Sequence, residues 1–323
     1  MIHAEPKDLE VKTIFGYLLG GVAPRPIALV STISKEGQVN LSPFSFFNAF
    51  GANPPTVAFS PSRRVRDNST KDTYENLIAT EECVIQAVTH SMVQQVSLAS
   101  TEFDSSVNEF DKTGLTPIES DLVRPPRVKE SPFQMECRLA QMVTLGEKHG
   151  SGNLAICEVV KFHIAEEIFE NGVIQPERID LVSRMSADYY CRASGEAVFV
   201  VKKPIATIGI GYDNLPEFIR SSKILTANNL GQLGNVEAIP DHAAQQEFAE
   251  TKSEIEGGRE AFLRFERLGE YADMFAVARF LSHECSESAS AMMMQAARRA
   301  LDFDDVNFAW NAALYSQRVI SSS

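Results

Sequence analysis

The chain has 323 residues, a length suited to about two domains, with 44% hydrophobic and 23% charged residues. That composition excludes a disordered, collagen-like or disulfide-framework chain. Thirty basic against forty-three acidic residues give a net charge of −13, and no five basic residues run together, which argues against nucleic acid as a partner.

No apolar stretch is long enough to span a membrane, and the start, MIHAEPKDLEVK, carries acidic residues and no signal-peptide run. The expected location is therefore the cytoplasm. Cys83, Cys137, Cys157, Cys191 and Cys285 are odd in number, widely spread and without metal-ligand spacing. They read as free, mostly buried thiols, and no metal site is expected.

In chain order, residues 1–200 are mainly β, with short runs of Val, Ile and Phe punctuated by Gly, Pro, Asn and Asp. Strands are expected near Pro26–Ile33, Asn40–Ala49, Thr56–Ser60, Cys83–Val88, Phe133–Leu145 and Asn153–Glu166. The run Ile27-Ala28-Leu29-Val30 suits a strand buried on both faces, and Ser34-Lys35-Glu36-Gly37 suits a tight turn. One short helix starts near Thr70 with Tyr74, Leu77 and Ile78 inward. Another covers about Ser91–Ala99 with Val93, Val96 and Leu98. Prolines 117, 125, 126 and 132 make Thr101–Ser131 a loop-rich stretch.

Residues 201–323 read as a connector, about Lys202–Leu233, and a helical extension. From Asp241 apolar residues recur every three or four positions, and the stretch holds 14 acidic and 8 basic residues. Met292-Met293-Met294 fits helix packing. The extension is expected to share the barrel's core, packing on the barrel or on a partner subunit.

The chemistry concentrates between Ala23 and Asn76. Pro43 within Asn40–Asn48 implies an edge or bulged strand, whose main chain is either free for a planar ligand or simply backs a Phe-rich inner face. Ser60-Pro61-Ser62-Arg63-Arg64 ends a strand with hydroxyls and guanidiniums in an otherwise acidic chain. Asn68-Ser69-Thr70-Lys71-Asp72-Thr73 opens a helix, either as an anion site or as plain N-capping by Ser69 or Thr70. An apolar slot, a hydroxyl-bearing strand end and an anion-binding helix start together suit a flat ring joined by a polar chain to a phosphate, the shape of flavin mononucleotide (FMN).

These residues also carry a resemblance. Arg25-Pro26-Ile27-Ala28-Leu29-Val30-Ser31-Thr32, the Asn40–Asn48 segment, Asn53-Pro54-Pro55, Phe59-Ser60-Pro61, Lys71-Asp72-Thr73 and Asn76 resemble the flavin reductase-like family of FMN-binding split barrels, which includes flavoredoxin. Pro125-Pro126-Arg127-Val128, Glu136-Cys137-Arg138-Leu139 and Arg184 extend it in order over roughly residues 10–195. The resemblance implies a homodimeric split β-barrel with FMN at the subunit interface, and electron transfer from NADH or NADPH to a flavin or other small acceptor. It places Pro43, Phe44, Ser45, Phe46, Phe47 and Asn48 along the isoalloxazine, and Ser60 with neighbouring Arg64 on the ribityl-phosphate. Lys71, Asp72 and Thr73 fall at the phosphate, and Arg25 and Pro26 near the ring.

Two departures bear on nicotinamide access. A family His associated with the nicotinamide has His149 as its candidate here, in a loop with extra residues. The Arg-x-Gly-Gly element reads Arg184-Met185-Ser186-Ala187, without either glycine. Three functions follow: an NAD(P)H-dependent flavin reductase-type enzyme, an FMN electron carrier with no nicotinamide site, or a non-redox binding or assembly protein. Gly209-Ile210-Gly211 lacks the third glycine of a dinucleotide fingerprint, and His163 and His90 are expected to be structural.

Overall fold

The computed structural model describes residues 1–202 and 208–321. It divides into two compact units, Met1–Phe199 and Val200–Ser323.

In the first unit, helix α1 (Val11–Gly21) precedes β1 (Arg25–Pro26), β2 (Ala28–Ile33), β3 (Val39–Phe44), β4 (Phe47–Ala52) and β5 (Pro55–Phe59). Helix α2 (Asp72–Thr80) and β6 (Glu82–Ala87) follow. Helix α3 (Val93–Leu98) comes next, and the proline-punctuated stretch after it holds short pieces: α4 (Glu109–Thr113), β7 (Pro117–Ile118) and β8 (Arg127–Val128). Two long strands, β9 (Phe133–Thr144) and β10 (Asn153–Ile164), lead to β11 (Phe169–Glu170), β12 (Val173–Ile174), α5 (Pro176–Ile179), β13 (Val182–Arg184) and β14 (Tyr190–Arg192).

Seven strands form one antiparallel sheet in the order β3-β2-β6-β9-β10-β5-β4. Strand β2 lies between β3 and β6, and Ala28 to Thr32 are all buried, as their unbroken run predicts. Its alternate residues face two cores: Ala28 and Val30 pack with Phe59, Cys83 and Cys157, while Leu29 packs with Leu41, Met92 and Val96.

The two edge strands, β3 and β4, are consecutive in sequence. Laid flat, six inter-strand spacings would separate them by about 29 Å, yet the step from Phe44 to Phe47 spans at most about 11 Å. The sheet must therefore roll up until its two edges meet. Phe44 of β3 and Phe59 of β5 accordingly pack with ring centroids 5.2 Å apart. Among the described residues no ladder joins β3 to β4, so the roll is open, split along that seam.

This geometry corrects the expectation of a single strand over Asn40–Ala49: the chain leaves one edge at Phe44 and joins the other at Phe47, breaking at Ser45-Phe46. Helix α2 buries Thr73, Asn76 and Leu77, and leaves Ile78 50% exposed rather than inward. Leu98 is likewise 51% exposed, at the end of α3. Helix α1, absent from the expected elements, has no buried residue and exposes Phe15, Tyr17 and Leu18.

The second unit is helical: α6 (Glu217–Arg220), α7 (Ala227–Gly234), α8 (His242–Thr251), α9 (Arg259–Leu268), α10 (Tyr271–Leu281), α11 (Ser286–Asp302) and α12 (Val306–Ser321). The expected connector thus contains two helices of its own, and its residues 203–207 lie outside those described. Phe248, Phe275 and Phe308 meet edge-on at 5.2–5.8 Å, and the buried Trp310 donates its indole N–H to the Leu233 carbonyl. Met293 and Met294 are buried in the same core. This corrects the expectation that the extension shares the barrel's core, because its buried cluster draws only on residues 215–313. Gly209 is needed for close approach, since a Cβ there would stand 2.8 Å from the Gly234 carbonyl oxygen.

Candidate functional site

Helix α2 begins without a side-chain cap. Its N-cap residue is Lys71, in extended backbone at φ −91° and ψ 153°. Neither expected cap is in place: the Ser69 hydroxyl donates to Asp67 and the Thr70 hydroxyl to Glu75. The amides of Asp72 and Thr73 therefore carry no hydrogen bond among the described residues. Their N–H groups and the positive end of the helix make an electropositive corner.

Lys71 adds a full charge to it. Its ammonium lies 5.3 Å from the centre of the Phe44 ring and makes no ion pair or hydrogen bond among the described residues. Burial, then the neighbouring Arg64 charge, pushes it below its ordinary pKa, with Glu102 opposing. Arg64 is held in place by Ser69 Oγ at 3.0 Å and the Thr70 carbonyl, and its Nε pairs with Glu102 at 3.3 Å. The hydroxyls of Ser60 and Ser62 lie 3.0 Å apart at the end of β5.

The remaining motif residues brace this corner. Thr73 is buried, and its hydroxyl donates to Asn40 Oδ1 at 2.7 Å, leaving only its amide for a ligand. Asn40 in turn donates to Glu109, whose other oxygen accepts the Leu41 amide at 2.9 Å. Burial raises the Glu109 pKa against those hydrogen bonds, and the nearby Asp72 carboxylate adds to the rise. Glu109, far away in sequence and on a five-residue helix, is a member of this network that sequence reading missed.

Between the sheet edges, the Ser45-Phe46 strap carries free main-chain groups: the amides of Ser45 and Phe46 and the Ser45 carbonyl make no hydrogen bond among the described residues. The Phe46 carbonyl accepts from the Ser60 amide at 2.9 Å, tying the strap to the hydroxyl-bearing strand end. Phe47 opens β4 opposite Phe59, and Asn48 is exposed, its side chain accepting from the Ala49 amide at 2.8 Å.

Arg25 is buried and bonds to the Leu19 and Val22 carbonyls at 2.6 Å, to the Met185 carbonyl at 2.9 Å and to Ser45 Oγ at 3.4 Å. It clamps α1, the strap and the turn after β13 together, with burial and then Arg184 lowering its pKa. Pro26 is exposed and pairs with Ser183.

A groove of about 670 Å³ opens beside the strap, with Pro43, Phe44 and Ser45 on one wall and His90, Arg184 and Tyr190 among its other lining residues. The Arg184 guanidinium sits 4.6 Å over the Tyr190 ring and 3.8 Å from Asp188. In the turn that follows Arg184, Ala187 adopts φ 45°, a left-handed conformation that favours glycine. The element without glycines therefore keeps a glycine-like bend.

Of the histidines, exposed His149 bonds through Nδ1 to the Val65 carbonyl at 2.9 Å, beside the basic loop and not in the groove. His163 contacts the wholly buried carboxylate of Glu136 at 2.6 Å. Glu136 also accepts the amides of Asp121, Leu122 and Val123, at 2.8, 2.6 and 3.2 Å. Burial works against its ionisation, but those bonds outweigh it and hold its pKa below the usual value. Asp121, Glu136 and His163 cluster closely enough to suggest a metal, yet four hydrogen bonds already fill the Glu136 oxygens and Lys161 pairs with Asp121.

Residues 20–181 match the family model described as the flavin reductase like domain, and the chain belongs to that family. An uncharacterised protein from Aquifex aeolicus (strain VF5) is 38% identical over 190 residues, which cover 59% of this chain and 95% of that protein. Among solved structures, nitrilotriacetate monooxygenase component B from Bacillus cereus is similar, at 34% identity and a TM-score of 0.58, over 62% of this chain and 98% of that one. A split-barrel protein of flavin reductase type from Shewanella frigidimarina NCIMB 400 is similar at 25% identity and a TM-score of 0.53, over 62% of this chain and all of that one. Flavin-related oxidoreduction is thus the class of chemistry, and a flavin is the cofactor class that goes with it.

Proposed function

We propose that the chain binds FMN and passes electrons from NADH or NADPH through it to a flavin or another small acceptor. The observation that carries this reading is Lys71, a cation without an anionic partner among the described residues at the uncapped start of α2, next to a strap with free amides. The phosphate would sit at the Asp72 and Thr73 amides with Lys71, and Arg64 would add charge nearby. The ribityl chain would pass Ser60 and Ser62, which the Ser60 to Phe46 bond sets beside the strap.

Bound flavin would supply hydride acceptance and onward electron release. The protein's own part is to fix the ring edge: the Ser45 and Phe46 amides donate where a ring oxygen or nitrogen gains negative charge. Pro43 has no N–H to give, which helps leave this edge unpaired by another strand. Arg25 holds the strap in place through Ser45. The groove lined by Arg184 and Tyr190 would admit the nicotinamide or the acceptor to the open face.

A homodimer with the flavin at its interface is supported by the apolar surface on α1, together with Phe50 at 67% and Leu145 at 66% exposure. Purified protein should be yellow and release FMN on denaturation. Colourless protein that ignores added FMN would overturn the reading. Rapid mixing with NADH or NADPH should bleach the flavin band, and a yellow protein that bleaches with neither would be the electron carrier instead.

A further inference from the structure

We infer that the helical second unit holds an anion-binding site of its own, for a small molecule bearing two or more phosphate or carboxylate groups. A cleft of about 610 Å³ lies where the C-terminal ends of α9 and α11 meet the turn before α7, and Lys223, Arg267, Arg298 and Arg299 line it with Glu266 and Asp302. Four cations against two carboxylates leave the cleft net positive, in a unit whose sequence holds 17 acidic and 12 basic residues.

The ordinary role of basic residues at helix C-termini is to satisfy the last carbonyls. Here much of that role is filled by backbone. After α9, Gly269 takes φ 78° and bonds to Glu266, and Glu270 bonds to Phe265. After α11, the amides of Phe303 and Asp305 both return to Ala300 and that of Asp304 to Leu301. Arg267 gives only its Nε to a helix carbonyl, that of Leu263 at 3.2 Å. The Lys223 ammonium and the Arg298 guanidinium carry no side-chain hydrogen bond or ion pair among the described residues, and both line the cleft.

Arg299 supplies the fixed element. Its Nη1 is bonded to Asp302 at 2.9 Å, its guanidinium lies 5.1 Å over the Phe303 ring, and its Nε is buried without a partner. Four like charges gathered in one cleft repel one another, and a polyanion relieves that repulsion while matching the guanidinium forks. The inference stands apart from the flavin reading, since the matched family domain ends at residue 181.

Calorimetric titration of the full chain with inorganic pyrophosphate and, separately, with citrate tests it. Saturable binding of at least one probe is expected, and the tighter of the two assigns phosphate or carboxylate. Lys223→Glu and Arg298→Glu, both at exposed positions, should each weaken it at least about tenfold, the worth of one charge-assisted bond. Arg298→Ala should weaken it in the same direction without reversing charge. Arg259→Glu, outside the cleft, should leave it unchanged, as should prior saturation with FMN, which occupies the flavin corner. Binding of neither probe, or equal loss in Arg259→Glu or on saturation with FMN, would overturn the site.

Discussion

The Nζ of Lys71 stands 5.3 Å from the centre of the Phe44 ring, with no carboxylate paired to it among the described residues. The contact joins the start of α2 to the last residue of β3, where the sheet edge ends and the strap begins. A ligand that holds Lys71 by a phosphate is thereby placed at the strap.

The same contact leaves a partly buried cation without a directly paired carboxylate among the described residues, with only the more distant Glu102 opposing its desolvation. Burial lowers the Lys71 pKa, so the folded state releases its proton at lower pH than the unfolded state. Stability of the flavin-free chain should therefore rise as pH climbs from the folded pKa of Lys71 towards its ordinary value of 10.5. Saturation with FMN should flatten that rise, because the phosphate restores the charged form. Lys71→Met should weaken FMN binding about ten- to a hundredfold and leave the flavin-free chain at least as stable near neutral pH. Fluorescence titration with FMN and thermal melts across pH check both halves, and a variant that keeps full affinity would remove Lys71 from the site.

Glu136 is the opposite kind of buried charge, one that is fully satisfied. Its carboxylate accepts three successive amides and His163, and so anchors the loop at Asp121–Val123 onto β9. Because its folded pKa lies below the ordinary 4.5, the stability it gives is complete above that value and drains away as pH falls through the folded pKa. Glu136→Ala leaves three amides without an acceptor and should cost about 3 kcal/mol or more. Urea unfolding at pH 7 and at pH 3 should show the gap between variant and parent narrowing at the lower pH.

How far the sequence exposes this arrangement depends on the range of the forces involved. The β2 run and the edge placement of Pro43 are local, since burial on both faces and a missing N–H each leave a mark within a few residues. The break at Ser45-Phe46 is not local, because it follows from rolling seven strands until β3 and β4 meet. Helix α1 escapes notice because Gly16, Gly20 and Gly21 dilute its helical pattern and none of its residues is buried among the described residues. Lys71 and Ser60 are legible as residue types at a helix start and a strand end, whereas Glu109 joins Asn40 and Thr73 only through folding. The separate core of the extension was equally hidden, since helical spacing marks an apolar face without saying what covers it.

Ala187 offers a direct measure of backbone strain. At φ 45° its Cβ crowds the following carbonyl, and the residue is exposed, so little but backbone preference decides a substitution there. Ala187→Gly relieves the strain but gives the unfolded chain more freedom, and the balance should be a gain of about 0.5–1 kcal/mol. Ala187→Val should lose at least as much, since a β-branched residue tolerates this conformation poorly. Urea melts of the two variants should shift in opposite directions, and a common shift would mean that the bend relaxes without cost.

The two units have separate buried clusters, those of the first drawing on no residue beyond Val182 and that of the second on none before Leu215. The flavin corner, the strap and the groove all belong to the first. Residues 1–199 alone should therefore fold cooperatively and bind FMN with the affinity of the full chain, since every group assigned to the flavin is retained. Circular dichroism melts and FMN titration of the shortened chain check this. Loss of cooperative folding would mean that the helical unit stabilises the barrel despite its own core. Intact folding with weakened FMN binding would mean that it completes the flavin site, and electron transfer rates from NADH in the two chains would then show which step it serves.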